Sequence, residues 1–211
     1  MDLNLNMPAC GRGFHILWRT KFSLDLDPMR PSVMTDYTKL VPLPAPQDIN
    51  SGLHACKAST LRSLLGEPRA RKDYSQDCAP ITGKFARRIV TRDFGTFKAT
   101  GLDVALDSLG RVLERIKKAD PELWSALGTA GMTCCRHMRG SSTALSNHSW
   151  GTAIDLTVNG ELPARGDDKV MLGMLRVYPH FHAEGWYWGA EFPTEDDMHF
   201  ELADETARAL L

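Results

Sequence analysis

Apolar positions in the middle of the chain recur at a helical period. Leu102, Ala105, Leu106, Leu109, Val112, Leu113 and Ile116 fall three and four apart, which predicts a helix over residues 102–118 with one stripe against a core. Asp120-Pro121-Glu122 follows and reads as the start of a second, short helix, with an N-cap acid, a proline at the first helical position and an acid in the first turn. Gly128 is expected to close it, and a strand is expected over residues 131–136. Upstream, Leu53, Leu61, Leu64 and Leu65 allow a short helix within residues 52–66 that stops at Gly66-Glu67-Pro68, because proline cannot continue it. Residues 85–90 and 96–100 carry β-branched and aromatic side chains around Asp93-Phe94-Gly95 and read as two strands of a hairpin or meander.

Toward the C-terminus the period changes to two. A strand beginning after Gly151 puts Ile154, Leu156 and Val158 on one face and Ala153, Asp155 and Thr157 on the other. A last strand splits in the same way, with Met198, Phe200 and Leu202 apolar and His199 and Glu201 polar. Between them Val170, Met171, Met174, Leu175 and Tyr178, behind Asp167-Asp168, predict a helix of about three turns that crosses back over the sheet. The expected fold class is α+β: an antiparallel sheet of about four or five strands, helices on one face and a candidate metal site on the other. Residues 1–50, with Pro28, Pro31, Pro42, Pro44 and Pro46 and no sustained period, are expected to be an irregular or flexible leader, and residues 51–211 a single domain.

Charge narrows the classes of partner. Lys plus Arg number 25 against 26 for Asp plus Glu, so no positive excess favours nucleic acid. No run approaches the roughly 18 apolar residues of a membrane span, and residues 13–27 are broken by Arg19, Lys21 and Asp25, a poor signal-peptide core. The five cysteines, Cys10, Cys56, Cys78, Cys134 and Cys135, are odd in number and lack CxxC spacing, so they are expected to be reduced and mostly buried rather than a disulfide framework. Adjacent Cys134 and Cys135 point to opposite faces of an extended chain and do not suit one tetrahedral ion.

The candidate chemistry lies in Ser146-Asn147-His148-Ser149-Trp150-Gly151-Thr152-Ala153-Ile154-Asp155 and in Asp196-Asp197-Met198-His199-Phe200-Glu201. Two imidazoles and one carboxylate, His148, His199 and Asp155, are the minimum set that holds zinc while leaving a position open for chemistry. His148 and Asp155 are an odd number of positions apart, and the bend at Gly151 lets them converge. A hydrolase with such a centre also needs a carboxylate that is not a ligand, to take and return a proton. Asp196 is the candidate general base, Asp197 its competitor, and Glu195 and Glu191 weaker ones; alternatively the acidic run is a solvated loop. Trp150, Trp186, Tyr187 and Trp188 bracket the motifs; such aromatics pack a core or wall a groove, and Trp188 is the candidate for lining a cleft. His137, His180 and His182 do not fit the ligand spacing.

The pattern Ser146-x-His148-x-x-Gly151-x-Ala153-x-Asp155, with an acid-x-x-His pair at 196 and 199, resembles the zinc D-alanyl-D-alanine carboxypeptidase family, peptidase family M15, which includes dipeptidases, carboxypeptidases and endolysin-like L-alanyl-D-glutamate peptidases. The resemblance covers roughly residues 85–202. It implies one zinc ion on His148, Asp155 and His199, Asp196 as base and Ser146 as a hydrogen-bonding residue near substrate. It further implies Arg136 as oxyanion partner, with Arg139 able to bind a substrate carboxylate. The dipeptidase branch has Glu at the base position where this chain has Asp196, one methylene shorter, so reach is what the difference affects.

The implied substrates are D-amino-acid-containing stem peptides of bacterial peptidoglycan, cleaved by a single monomeric zinc peptidase domain over residues 51–211. Without an evident signal it would reach the cell wall by a phage-type or non-classical route. Two rival readings keep the site: a zinc amidase of peptidoglycan, and a zinc-stabilised cell-wall or peptide-binding module without turnover.

Overall fold

The computed structural model describes residues 34–211, of which residues 35–211 pack as one unit. In chain order they form β1 (Leu40–Pro42), α1 (Ala58–Leu65), β2 (Ile89–Asp93), β3 (Lys98–Leu102), α2 (Asp103–Ala119), α3 (Pro121–Ala126), β4 (Leu127–Gly131), β5 (Ala153–Val158), β6 (Lys169–Met171), α4 (Leu172–His182), β7 (Trp186–Trp188), β8 (His199–Leu202) and α5 (Asp204–Leu210). The fold is mixed α/β, with five α-helices and antiparallel sheets among the described residues. The main sheet has four strands in the order β4-β5-β8-β7, and β1-β6 and β2-β3 form two-stranded ladders. None of the described helices is long and apolar enough to cross a membrane.

The helical period of the middle segment is realised in α2. Ala105, Leu106, Leu109, Val112, Leu113 and Ile116 are all buried in the core. Asp120 caps α3 by accepting a hydrogen bond from Leu123 N at 3.0 Å, which satisfies one of the orphan donors of the first turn. Gly66 ends α1 at φ 86°, a left-handed angle that favours glycine. In the main sheet, Ile154, Leu156 and Val158 of β5 and Phe200 and Leu202 of β8 enter the core. That burial aims the intervening Asp155, His199 and Glu201 toward a cavity.

Several expectations change. The strand expected over residues 131–136 forms earlier, as β4, because Leu127 is buried opposite Val158; Gly128 therefore sits in the ladder opposite Thr157 rather than capping a helix. Gly131, at φ 128°, takes the chain out of the sheet, and Cys135 makes only an isolated bridge to Ala79. Residues 85–88 are mostly a 3-10 turn leading into β2. Val170 and Met171 do not open α4; they lie in β6, paired with β1. Tertiary pairing with an upstream segment, invisible to a local pattern, decides that boundary.

That upstream segment also alters the reading of the leader, whose residues 1–33 lie outside the described residues. Between residues 35 and 50, Leu40–Pro42 form β1, and Tyr37, Ile49 and Asn50 are buried. Asn50 accepts a hydrogen bond from Trp188 N at 2.8 Å and donates to Trp188 O at 3.0 Å, so this stretch is ordered packing rather than irregular chain.

The cysteine expectation is corrected as well. Cys78 and Cys134 form a disulfide with Cα atoms 4.9 Å apart, while Cys56 and Cys135 remain buried free thiols and Cys10 lies outside the described residues. One bridge among five cysteines leaves no spacing signal. It closes a loop of 56 residues, which in the loop-closure model restricts the unfolded chain by about 4 kcal/mol. Cys134 N donates to His148 O at 3.1 Å, so the bridge braces the segment that supports a candidate ligand.

Candidate metal centre

His148 sits in a one-turn 3-10 helix, Asn147–Trp150, which ends at Gly151 in the left-handed region, φ 67°. Two constraints select glycine there. A side chain would be strained at that φ, and a Cβ would lie 2.8 Å from Leu102 N, where Gly151 O accepts the Leu102 N–H at 2.9 Å. The bend docks the turn against the β3–α2 junction and starts β5 two residues later. Opposite Asp155, the β4–β5 register shifts between Thr129 and Gly131, and Thr129 Oγ1 donates to Asp155 O at 2.7 Å. Such bulges re-aim side chains beside functional sites. Across the sheet Asp155 pairs with His199.

The three side chains converge. Asp155 Oδ1 lies 3.2 Å from His148 Nε2 and 3.1 Å from His199 Nδ1, and one ligand atom from each residue lies within 4.8 Å of the others. The outer ring nitrogens are held too: His148 Nδ1 is 3.2 Å from Met132 O, and His199 Nε2 is 3.0 Å from Glu201 Oε2. A carbonyl only accepts, so a His148 that bound a metal through Nε2 would carry its proton on Nδ1. Glu201 Oε2, as the acceptor, likewise assigns a proton to His199 Nε2. Glu201 is fixed in turn through Oε1, which accepts the Cys56 N–H at 3.0 Å. Two imidazoles with oriented outer nitrogens and one carboxylate are a donor set that fits zinc.

Electrostatics favour a charged centre. Burial alone would raise the Asp155 pKa, but hydrogen bonds from His148 and His199 outweigh it and hold the carboxyl far below the usual range. Burial would lower the His199 pKa, yet hydrogen bonds to Asp155 and Glu201 hold it up to about 10. In the metal-free protein at pH 7, therefore, Asp155 is ionised and His199 is protonated. A folded-state pKa raised above the ordinary histidine value contributes stability that is full below about 6.5 and lost as pH rises through about 10. A metal held through Nδ1 would compete with that proton, so its uptake at pH 7 is expected to release about one proton, with affinity rising with pH across that window. Zinc titration calorimetry in buffers of different ionisation enthalpy measures this; uptake without proton release would contradict the assignment.

The cavity beside the centre has a volume of about 480 Å³, and His148, Asp155, His199, Asp196, Arg136, Arg139, Ser146 and Phe192 are among its walls. Asp196 is separated from its competitor here. Its Oδ2 is 3.0 Å from Arg165 Nε, its Oδ1 is buried with no partner among the described residues, and burial pushes its pKa up. Asp197 is fully buried and absent from the cavity wall; its Oδ2 accepts the Met171 N–H at 2.8 Å, and burial raises its pKa to about 7. Glu195 accepts backbone N–H groups of Asp167 and Asp168, and Glu191 Oε2 accepts from Asn50 Nδ2 at 2.9 Å. The acidic run is thus engaged in structure rather than a solvated loop.

Arg136 lies on the loop after β4, not on a strand, and its Nη1 donates to His137 O at 2.9 Å. Burial and the neighbouring Arg139 lower its pKa. Ser146 is buried, with its backbone N–H on Arg136 O at 3.1 Å, and Arg139 is exposed at the rim. Trp188 is a correction. It is fully buried, stacked between Tyr178 and Phe200, with Nε1 donating to Asp197 O at 2.7 Å. Its strand, β7, packs inward, and Phe192, 5.5 Å from the His199 ring, lines the cavity instead. Sequence reasoning also missed Glu201 and Arg165. Glu201 had a signal, since it shares the polar face of β8 with His199 two residues away; Arg165 had none locally.

An open cavity with a candidate two-histidine, one-carboxylate centre and a neighbouring acid is the plan of a hydrolase site. Over residues 139–202 the chain matches the family model described as D-alanyl-D-alanine carboxypeptidase, which supports the resemblance to peptidase family M15 carried by the motifs. The match contains His148, Asp155, His199, Asp196, Arg139 and Ser146 and begins just after Arg136. No curated protein matches the chain.

Proposed function

We propose that the protein is a zinc-dependent peptidase acting on the D-amino-acid-containing stem peptides of bacterial peptidoglycan, with residues 35–211 as the catalytic unit. The observation that carries this reading is the convergence of His148, Asp155 and His199 beside Asp196, within a stretch that matches a peptidase family. Those three residues would hold the ion. A zinc ion there supplies Lewis-acid polarisation of the scissile carbonyl and water that is nucleophilic near neutral pH.

The remaining work falls to the chain's own groups. Asp196 takes a proton from the attacking water and returns it to the departing amine. Arg136, always charged and rich in donors, faces the developing oxyanion. Arg139 at the rim pairs with a substrate carboxylate, and Ser146 hydrogen-bonds the peptide. The split of β5 and β8 into core-facing and cavity-facing residues supports helices on one face of the main sheet and the metal on the other. The Cys78–Cys134 disulfide supports action in an oxidising compartment outside the cytoplasm.

The test is incubation of the zinc-loaded protein with purified peptidoglycan and identification of products by mass. Cleavage within the stem peptide, exposing a new amine and a new carboxylate, is expected. Release of intact stem peptides from the glycan would instead mark an amidase. Zinc held at one per chain with no product at all would sink the peptidase reading in favour of a binding module.

A further inference from the structure

Glu195, Asp196 and Asp197 all reach the same neighbouring segment, residues 165–171. Glu195 Oε1 accepts the N–H groups of Asp167 and Asp168, the second at 3.1 Å. Asp197 Oδ2 accepts Met171 N–H at 2.8 Å. Ahead of both pins in the chain, Arg165 Nε meets Asp196 Oδ2 at 3.0 Å. The other face of residue 196 is fixed through the backbone: Asp196 N donates to Gly189 O and Asp196 O accepts from His199 N, each at 3.0 Å. Gly189 permits that approach, since a Cβ there would lie 2.7 Å from Asp196 O.

We infer that Arg165 is a positioning residue for Asp196, holding its carboxylate in one orientation at the cavity wall that also carries His148, Asp155 and His199; this rests on the peptidase reading above. An aspartate has two side-chain torsions, and the backbone pins at Gly189 and His199 fix neither of them. Arg165 fixes the carboxylate by occupying Oδ2, while Oδ1 is buried and without a partner among the described residues. The pair is partly shielded, with 32% of the Arg165 side chain and 17% of the Asp196 side chain exposed, so water competes less for it than at an open surface. Glu195 and Asp197 clasp residues 167–171, the stretch that begins two residues after Arg165, so the three consecutive acids all engage one segment and the middle one meets the arginine at its start. The short reach of aspartate makes such alignment consequential, because a misplacement of about 1 Å costs up to about 100-fold in rate.

The test compares wild type, Arg165→Ala and Arg165→Lys, each zinc-loaded, on soluble peptidoglycan fragments, with zinc content and thermal midpoint recorded. Arg165→Ala is expected to lower kcat roughly 30-fold with KM, zinc content and midpoint near wild type, and Arg165→Lys to recover much of the loss. An unchanged kcat in an active background overturns the inference alone. So does a rise in KM at constant kcat, which would make Arg165 a substrate contact, or a kcat loss that follows zinc or fold and is not relieved by lysine. A wild type with no turnover overturns the peptidase reading and this inference with it.

Discussion

Asp196→Ala is expected to lower kcat on peptidoglycan stem peptides by about 1,000-fold, the middle of the range for a lost general base, while zinc content stays at wild-type level. The expectation follows from position: Asp196 is on the wall of the cavity that also carries His148, Asp155 and His199, with one oxygen on Arg165. It is not one of the converging ligands, so its loss leaves the metal donors intact. Asp197 provides the contrast. Its carboxylate is an acceptor for Met171 N–H in the interior, and its replacement by asparagine acts on stability rather than on kcat. Steady-state kinetics of Asp196→Ala with metal analysis on the same sample decide the point, and activity within about tenfold of wild type would remove Asp196 from the role.

His199→Ala is expected to abolish both stoichiometric zinc and activity. His199 supplies one of the three converging donors and is locked by Glu201 on its outer nitrogen. Losing a supporting outer partner costs about 10- to 100-fold in metal affinity, and losing the donor itself is expected to cost more. Zinc competition against a chelator measures the affinity. Retention of wild-type affinity would place the metal elsewhere. The substitution also leaves Asp155 and Glu201 without their shared partner, so the folded fraction is read alongside.

The residues of the candidate centre were legible because each sits where a local rule exposes it. Strand alternation forces Asp155 and His199 away from the core that buries Ile154, Leu156, Phe200 and Leu202, and the Gly151 bend explains how His148 joins them. The helix α2 was legible for the same reason, a long periodic stripe. What was not legible depends on partners far along the chain. Residues 169–171 look helical in isolation and become β6 because β1 pairs with them. Cys78 and Cys134 carry no spacing signal and meet only in the fold. Trp188 is aromatic beside a motif, a property shared by groove walls and core packing, and β7 turns it inward. Arg165 has no sequence mark at all, since its role depends on a carboxylate some thirty residues later reaching across to it.

The most direct measurement is a metal titration of activity. Protein stripped with a chelator is given increasing zinc and assayed on peptidoglycan stem peptides at each step, with bound zinc counted. Activity rising linearly and reaching its plateau at one zinc per chain, with both gains lost in His199→Ala, is the predicted result. Full hydrolysis by the stripped protein, or a full complement of zinc with no hydrolysis at any step, would contradict a zinc peptidase centred on His148, Asp155 and His199.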